Sequence, residues 1–308
     1  MTFQQLEYIV ALSKTRHFVN AAEMCGVTQP TLSMMVQKLE DELDIRIFDR
    51  SKHPIEVTKI GEKIIDQAQI TLAQLNRINE LVSAEKGDVS GNINIAIIPT
   101  VAPYVLPKFF AKFKSMYPEL SFKISEMRTD TIEKMLHLGE IDMGILSTPL
   151  MNPNILEIPL YYEKFIAYIS PNDRLYQKKE LVSTELPVEH LWVLEEGHCL
   201  RNQVFNFCMK DMDVSYAYEA GSIETLIKIV DENGGYTVIP ELHLEFLTDE
   251  QKKNVRKLVD PEPVREISLV IQQNFIREGQ LNAVADIIKK IIPKEMLDGR
   301  LKKFAIKI

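Results

Sequence analysis

The stretch Val27-Thr28-Gln29-Pro30-Thr31-Leu32-Ser33-Met34-Met35-Val36-Gln37-Lys38-Leu39-Glu40-Asp41-Glu42-Leu43 decides the reading of the N-terminal region. Leu32, Val36, Leu39 and Leu43 recur at three- and four-residue steps and mark one face of a helix. Thr28 is a suitable N-cap, and Pro30 falls in the first turn, where a missing N–H costs little. The opposite face shows Thr31, Ser33, Met34, Gln37 and Lys38. Upstream, Phe3, Leu6, Ile9, Val10 and Leu12 predict a first helix, and residues 17–22 open a second that stops at Gly26. Downstream, residues 45–58 alternate around Lys52-His53-Pro54, as a two-stranded wing would. A helix of this kind can enter a major groove, where hydroxyl and amide side chains read base edges. The DNA-facing set is therefore Gln29, Pro30, Thr31, Ser33, Lys38 and Arg50, with Arg46, Arg50, Lys52 and Lys59 placed to meet phosphates. The alternative is a small helical bundle with ordinary surface polar groups.

Working outward, residues 59–87 carry no proline, and Ile60, Ile64, Ala68, Leu72, Leu75, Ile78 and Val82 form one apolar stripe. That predicts a long amphipathic helix seeking a partner. Beyond Gly91 the periodicity changes. Strands are expected at 92–98, 120–124, 142–146, 165–170, 192–194, 214–218, 236–239 and 266–271, with helices at 103–116, 130–138 and 278–292. Alternation of this kind predicts an α/β domain with a parallel sheet and right-handed crossovers. The expected organisation is a winged helix-turn-helix at 1–60, a dimerisation and linker helix at 61–87, and a two-lobed regulatory domain of periplasmic-binding-protein type at 88–308. Its lobe I covers about 88–163 plus 267–308, and lobe II about 164–266. Thr100, just past the first strand of that domain, occupies a ligand-binding position of such sheets.

Composition sets the outer limits. The 308 residues are 45% hydrophobic and 26% charged, the balance of a globular chain of about two domains. Three cysteines are no disulfide framework. No basic segment precedes an apolar stretch at the N-terminus, and no apolar run approaches the ~18 residues of a membrane span, so a cytoplasmic location is expected. The net charge of −8 argues weakly against nucleic acid, but placement matters more than the total. Residues 1–87 hold 10 Lys and Arg against 12 Asp and Glu, and the tail from Lys289 holds seven basic and two acidic residues. No phosphate-binding loop or dinucleotide fingerprint occurs, and His17, His53, His137, His190, His198 and His243 lack metal-ligand spacing. No metal and no cofactor are expected.

The cysteines differ in setting. Cys25 lies among Ala22, Met24 and Val27 and reads as an inert, buried thiol. Cys199 follows His198, precedes Arg201 and opens a helical stretch, a setting that predicts a lowered thiol pKa and thiolate reactivity toward peroxide. Cys208 stands nine residues later. If one helix spans both, their Cα atoms lie ~13 Å apart along its axis and on opposite faces. A disulfide needs ~5.5 Å, so it could close only after local unwinding. Chance spacing of two unrelated thiols is the competing reading.

The chain as a whole resembles the LysR-type transcriptional regulators. The resemblance rests on Ala21-Ala22, Thr28-Gln29-Pro30-Thr31-Leu32-Ser33, Leu39-Glu40-Asp41-Glu42-Leu43 and Phe48-Asp49-Arg50. Asp44 stands where a glycine is usual and Met35 where a glutamine is common. Residues 196–203, Cys208, Pro99-Thr100 and Thr129 are similar to the peroxide-sensing branch of that family, with Asn202 as a departure. That resemblance implies sensing at Cys199, resolution at Cys208, and peroxide-orienting or thiolate-activating roles for Thr100, Thr129, His198 and Arg201. It also implies a homodimer or homotetramer on double-stranded promoter DNA, contact with RNA polymerase, and a thiol reductant such as glutaredoxin or thioredoxin. It implies neither an enzyme nor a membrane protein. Two alternatives stay open: a regulator of the same family binding a small metabolite between the lobes, and a thiol peroxidase, which would not need the helix-turn-helix.

Overall fold

The computed structural model describes residues 1–85, 91–208 and 219–304. The chain divides into two units, Met1–Asp88 with Met135–Glu140, and Val89–Lys134 with Ile141–Ile308. In the first unit, helices α1 (Phe3–Thr15), α2 (Phe18–Met24) and α3 (Gln29–Leu43) precede a two-stranded wing. The wing pairs β1 (Phe48–Asp49) with β2 (Glu56–Val57), and the long helix α4 (Lys59–Glu85) follows. The Thr2 and Thr28 side chains accept from backbone N–H groups and cap α1 and α3. Leu6, Ile9, Leu12, Ala21, Leu32, Val36, Leu39, Phe48, Ile65 and Ala68 close one core. Asp44 ends α3 at φ 51°, the left-handed conformation that explains why glycine suits the position and why aspartate is tolerated there. Met35 packs partly against the core rather than facing outward.

Glu40 organises the join between α3 and the wing. Its fully buried carboxylate accepts from the Ile47 and Phe48 N–H groups at 2.7 and 3.0 Å, and from Arg50 Nη2 at 2.8 Å. Arg50 also lies 5.4 Å over the Phe18 ring. Arg50, expected at a DNA phosphate, thus also holds the buried carboxylate, which Arg46 approaches at 3.5 Å.

The second unit contains β3 (Gly91–Ile97), α5 (Ala102–Met116), β4 (Leu120–Glu126), the first part of α6 (Thr129–Leu138), β5 (Met143–Thr148) and β6 (Ile155–Ile169). Then follow β7 (Glu180–Val182), β8 (Leu191–Trp192), α7 (Cys199–Cys208), α8 (Ile223–Asn233), β9 (Tyr236–Pro240) and α9 (Asp249–Lys252). The chain continues through β10 (Val255–Val259), β11 (Val264–Gln272) and α10 (Glu278–Ile291). The strands run in the order β4-β3-β5-β11-β6-β10-β7, and β9 pairs with β6 and β8.

The sheet is not parallel throughout, which corrects the sequence reading. β3 is parallel to β4 and β5, but β11 is antiparallel to both β5 and β6. β6 is the reason. Its first part pairs along β11, while its last residues pair with β9 and β10. Residues 155–164 escaped prediction because Glu157, Pro159, Glu163 and Lys164 interrupt the apolar pattern. Helix α8 also went unread, although Ser222 caps it and Ile223, Leu226, Ile227 and Val230 form its buried face. The strand expected at 214–218 lies outside the described residues.

Replacing Glu40 removes one partner of a buried ion pair and orphans two backbone donors. Glu40→Ala should therefore destabilise the N-terminal unit by about 3 kcal/mol. Arg50→Ala should cost less, because the arginine is about one-third exposed. Urea denaturation followed by circular dichroism measures both, and equal losses would contradict the assignment of Glu40 as the organising group.

Candidate functional site

Helix α7 presents two faces. Leu200 and Val204 enter an apolar core with Phe165, Leu226, Ile227, Val230 and Tyr236. Cys199 and Gln203, one turn apart, share the other face. Gln203 is fully buried and donates through Nε2 to the Ser147 hydroxyl at 2.9 Å, tying α7 to the end of β5. Cys199 is the first residue of the helix and only 5% exposed.

The charge that acts on this thiol is Arg265, which sequence reasoning missed. Arg265 on β11 stands opposite Glu163 on β6 in the strand register. Both side chains are fully buried, with Nη2 2.7 Å and Nε 2.8 Å from Glu163 Oε2. Arg265 also donates to the Thr100 hydroxyl at 3.1 Å and to the Thr100 carbonyl at 2.9 Å. Burial is the largest single influence and opposes the arginine charge, but Glu163, Tyr161 and Cys199 together outweigh it, so the pKa rises and the guanidinium stays protonated. Thr100 is thereby fixed beside the site.

The thiol itself is corrected in direction. Burial dominates and pushes the Cys199 pKa up from its ordinary value. Arg265, the Thr129 hydroxyl and the backbone at Leu200 and Ser147 pull it back only in part. Thr129 Oγ1 is buried and makes no hydrogen bond of normal geometry, so it remains available to a small polar guest.

His198 and Arg201 do not supply the expected positive setting. His198 is 6% exposed, and burial together with nearby Arg128 depresses its pKa, which favours the neutral imidazole. Arg201 turns away to bind Glu219 Oε1 at 2.6 Å and lies 5.1 Å over the Phe205 ring. The structure thus brings Thr100, Thr129, His198 and Cys199 together with Arg265, and leaves Arg201 in a separate ion pair. Cys208 ends α7, but its side chain lies outside the described residues. Cys25 is half-buried at the edge of the N-terminal core, and burial raises its pKa, as suits an unreactive thiol.

On the N-terminal unit, Pro30 and Lys38 are exposed, while Gln29, Thr31 and Ser33 are partly exposed on the outer side of α3. Thr31 Oγ1 lies 2.8 Å from Thr28 Oγ1, within the cap of the helix. Arg46, Lys52 and Lys59 are exposed. Among the described residues, no cluster of His, Cys, Asp or Glu has metal-binding geometry, and no helix is long and apolar enough to cross a membrane.

The pH dependence of thiol alkylation tests the electrostatic assignment. The half-ionisation point of Cys199 should lie above the free-thiol value of about 8.5. Removing the positive charge in Arg265→Gln/Glu163→Gln, which leaves no lone buried ion, should move it higher still. An unchanged or lower midpoint in the double variant would separate Arg265 from the thiol.

Comparison with known proteins places the chain. Residues 3–62 match the bacterial regulatory helix-turn-helix protein, lysR family, and residues 86–291 match the LysR substrate binding domain. The hydrogen peroxide-inducible genes activator of Haemophilus influenzae is 33% identical over 302 residues, covering 97% of this chain and 99% of that protein. A full-length OxyR variant from Pseudomonas aeruginosa superposes with a TM-score of 0.76 at 32% identity, covering 94% of this chain and 98% of that one. A hydrogen peroxide-bound OxyR mutant from Corynebacterium glutamicum superposes at 0.60 with 28% identity, covering 94% of each chain. A helix-turn-helix matched at one end, a ligand-type domain matched along the rest, and relatives aligned over nearly their whole length show that the chain belongs to the LysR family of transcriptional regulators.

Proposed function

We propose that this regulator senses hydrogen peroxide at Cys199 and stores the signal as a Cys199–Cys208 disulfide. The carrying observation is a thiol buried at the first turn of α7, beside a buried arginine and a hydroxyl with no other partner. The similarity to proteins named as peroxide-inducible activators, and to a peroxide-bound structure, supports the same reading. The Cys199 sulfur attacks one peroxide oxygen and the O–O bond breaks. The thiol proton joins the leaving oxygen as water, and sulfenic acid remains. Thr129 and Thr100 offer hydroxyls to the peroxide, neutral His198 is a further hydrogen-bonding group, and Arg265 favours the developing thiolate. Arg201 holds the loop through Glu219 rather than acting on the sulfur.

Cys208 then attacks the sulfenic sulfur, forming S–S and releasing a second water. That step conflicts with the helix. One continuous element runs Cys199–Cys208, which holds the Cα atoms ~13 Å apart against the ~5.5 Å a disulfide allows. Closure must unwind α7, withdraw Leu200 and Val204 from their core and break the Gln203–Ser147 tie. Oxidation is in this way converted into a change of shape. Two external thiols, as glutaredoxin or thioredoxin would supply, reverse it.

At the other end, Gln29, Pro30, Thr31, Ser33 and Lys38 face promoter DNA, with Arg46, Arg50, Lys52 and Lys59 at phosphates and Arg50 also steadying the wing through Glu40. Ile78, Leu81 and Val82 are more than half exposed along α4, which supports pairing of two chains there and, through further contacts, a homotetramer that engages RNA polymerase. The proposed lobes, about 88–163 with 267–308 and about 164–266, meet along β6 and β11.

Trapping the intermediate tests the mechanism. In Cys208→Ser, brief peroxide exposure with dimedone should label the Cys199 peptide and give no intramolecular disulfide. Cys199→Ser should abolish the response and leave Cys208 slow toward peroxide. An adduct on Cys25, or none on Cys199, would overturn peroxide sensing and leave the DNA-binding assignment standing.

A further inference from the structure

Arg128, between β4 and α6, takes no part in the steps above, yet it lies across the loop that leads into Cys199. Its Nη2 binds Glu195 Oε1. The same Glu195 oxygen lies 3.8 Å from His198 Nε2. Gly197 sits between these groups at φ +93°, a backbone conformation that favours glycine. A β-carbon at Gly197 would come within 2.9 Å of Arg128 Cδ, 3.1 Å of Nη1 and 3.4 Å of Nε. The arginine side chain therefore packs directly on the backbone of residue 197, and a side chain there would have to displace it. The next residue along the chain, Thr129, places its hydroxyl in the buried interior beside the thiol. Arg128 thus lies on the exposed side of a segment whose neighbours Thr129 Oγ1 and Cys199 are buried.

We propose that the Arg128–Glu195 ion pair is a salt-sensitive gate that sets the size of molecule able to reach Cys199. The inference rests on the reading that Cys199 is the reactive thiol. While the pair is closed, the loop 195–198 stays pinned and the thiol stays 5% exposed. A two-oxygen oxidant needs a smaller opening than a bulkier thiol reagent, which must wait for the loop to lift. Both partners of the pair are about two-fifths exposed, at 43% and 41%. Dissolved ions can screen such a pair, unlike the buried Glu163–Arg265 pair behind the thiol. The gate is therefore weak enough to open often, and its opening is set by ionic strength. Arg128 acts here as a specificity-determining, positioning residue.

The test compares N-ethylmaleimide with hydrogen peroxide on the reduced full-length protein, reading the Cys199 peptide by mass spectrometry. Arg128→Ala should speed maleimide labelling of Cys199 about fivefold, the scale set by loss of an exposed ion pair. Glu195→Ala should do the same, and Arg128→Lys should lie between. The charge-exchanged variant Arg128→Glu/Glu195→Arg should return toward the wild-type rate. Sodium chloride at about 0.5 M, where screening acts over only a few ångströms, should speed labelling of the wild type but not of Arg128→Ala. The salt series needs no variant, so it stands even if a substitution disturbs folding. An unchanged maleimide rate in Arg128→Ala and in high salt would overturn the gate. Equal acceleration of both reagents would overturn it too, because Arg128 would then govern thiol reactivity rather than access. A Cys199 that is inert to peroxide yet gated toward maleimide would remove peroxide sensing and keep the gate.

Discussion

The buried Glu163–Arg265 pair is the interaction on which the regulatory unit depends. It joins β6 to β11 at opposed register positions, where the sheet passes from one set of partners to the next. Its satisfaction is nearly complete. Glu163 accepts from the Leu242 N–H at 2.9 Å, and Arg265 reaches both oxygens of Thr100. Removing one member of such a pair typically costs about 3–5 kcal/mol, because the other is left charged and dry. The same pair sets a fixed positive charge against the buried Cys199 thiol.

That placement explains how a buried cysteine can be both quiet and responsive. Burial holds the resting thiol neutral, which protects it from casual electrophiles. Arg265 and Thr129 favour the thiolate as soon as a proton acceptor arrives with the oxidant. Stability and signal are then opposed in one helix. Leu200 and Val204 anchor α7 in its core, and Gln203 ties it to β5, whereas the proposed disulfide requires that all three let go. A two-state element of this sort needs a strongly favourable covalent step, which oxidation supplies.

Much of this was legible in the sequence where local rules decide. Thr28, Pro30 and the spacing of Leu32, Val36 and Leu39 predict α3, and the even stripe from Ile60 to Val82 predicts α4. The strands flanking α5 and α6 follow equally from their apolar runs. What stayed hidden was set by long-range pairing. Glu163 and Arg265 read as polar interruptions, so the sequence pattern begins the strand only at Phe165 and the last strand one residue after the arginine that matters. Proximity in sequence misled for the same reason. Arg201 is two residues from Cys199 but bonds Glu219, whereas Arg265 is distant in the chain and adjacent in space. The bond from Arg50 to the buried Glu40 is likewise invisible in the sequence.

Hydrogen–deuterium exchange across Cys199–Cys208, before and after one equivalent of peroxide, tests the central claim most directly. The account predicts that α7 amides are protected in the reduced protein, lose protection in step with disulfide formation, and stay protected in Cys208→Ser treated alike. A Cys199–Cys208 disulfide formed with the protection of α7 intact would contradict it.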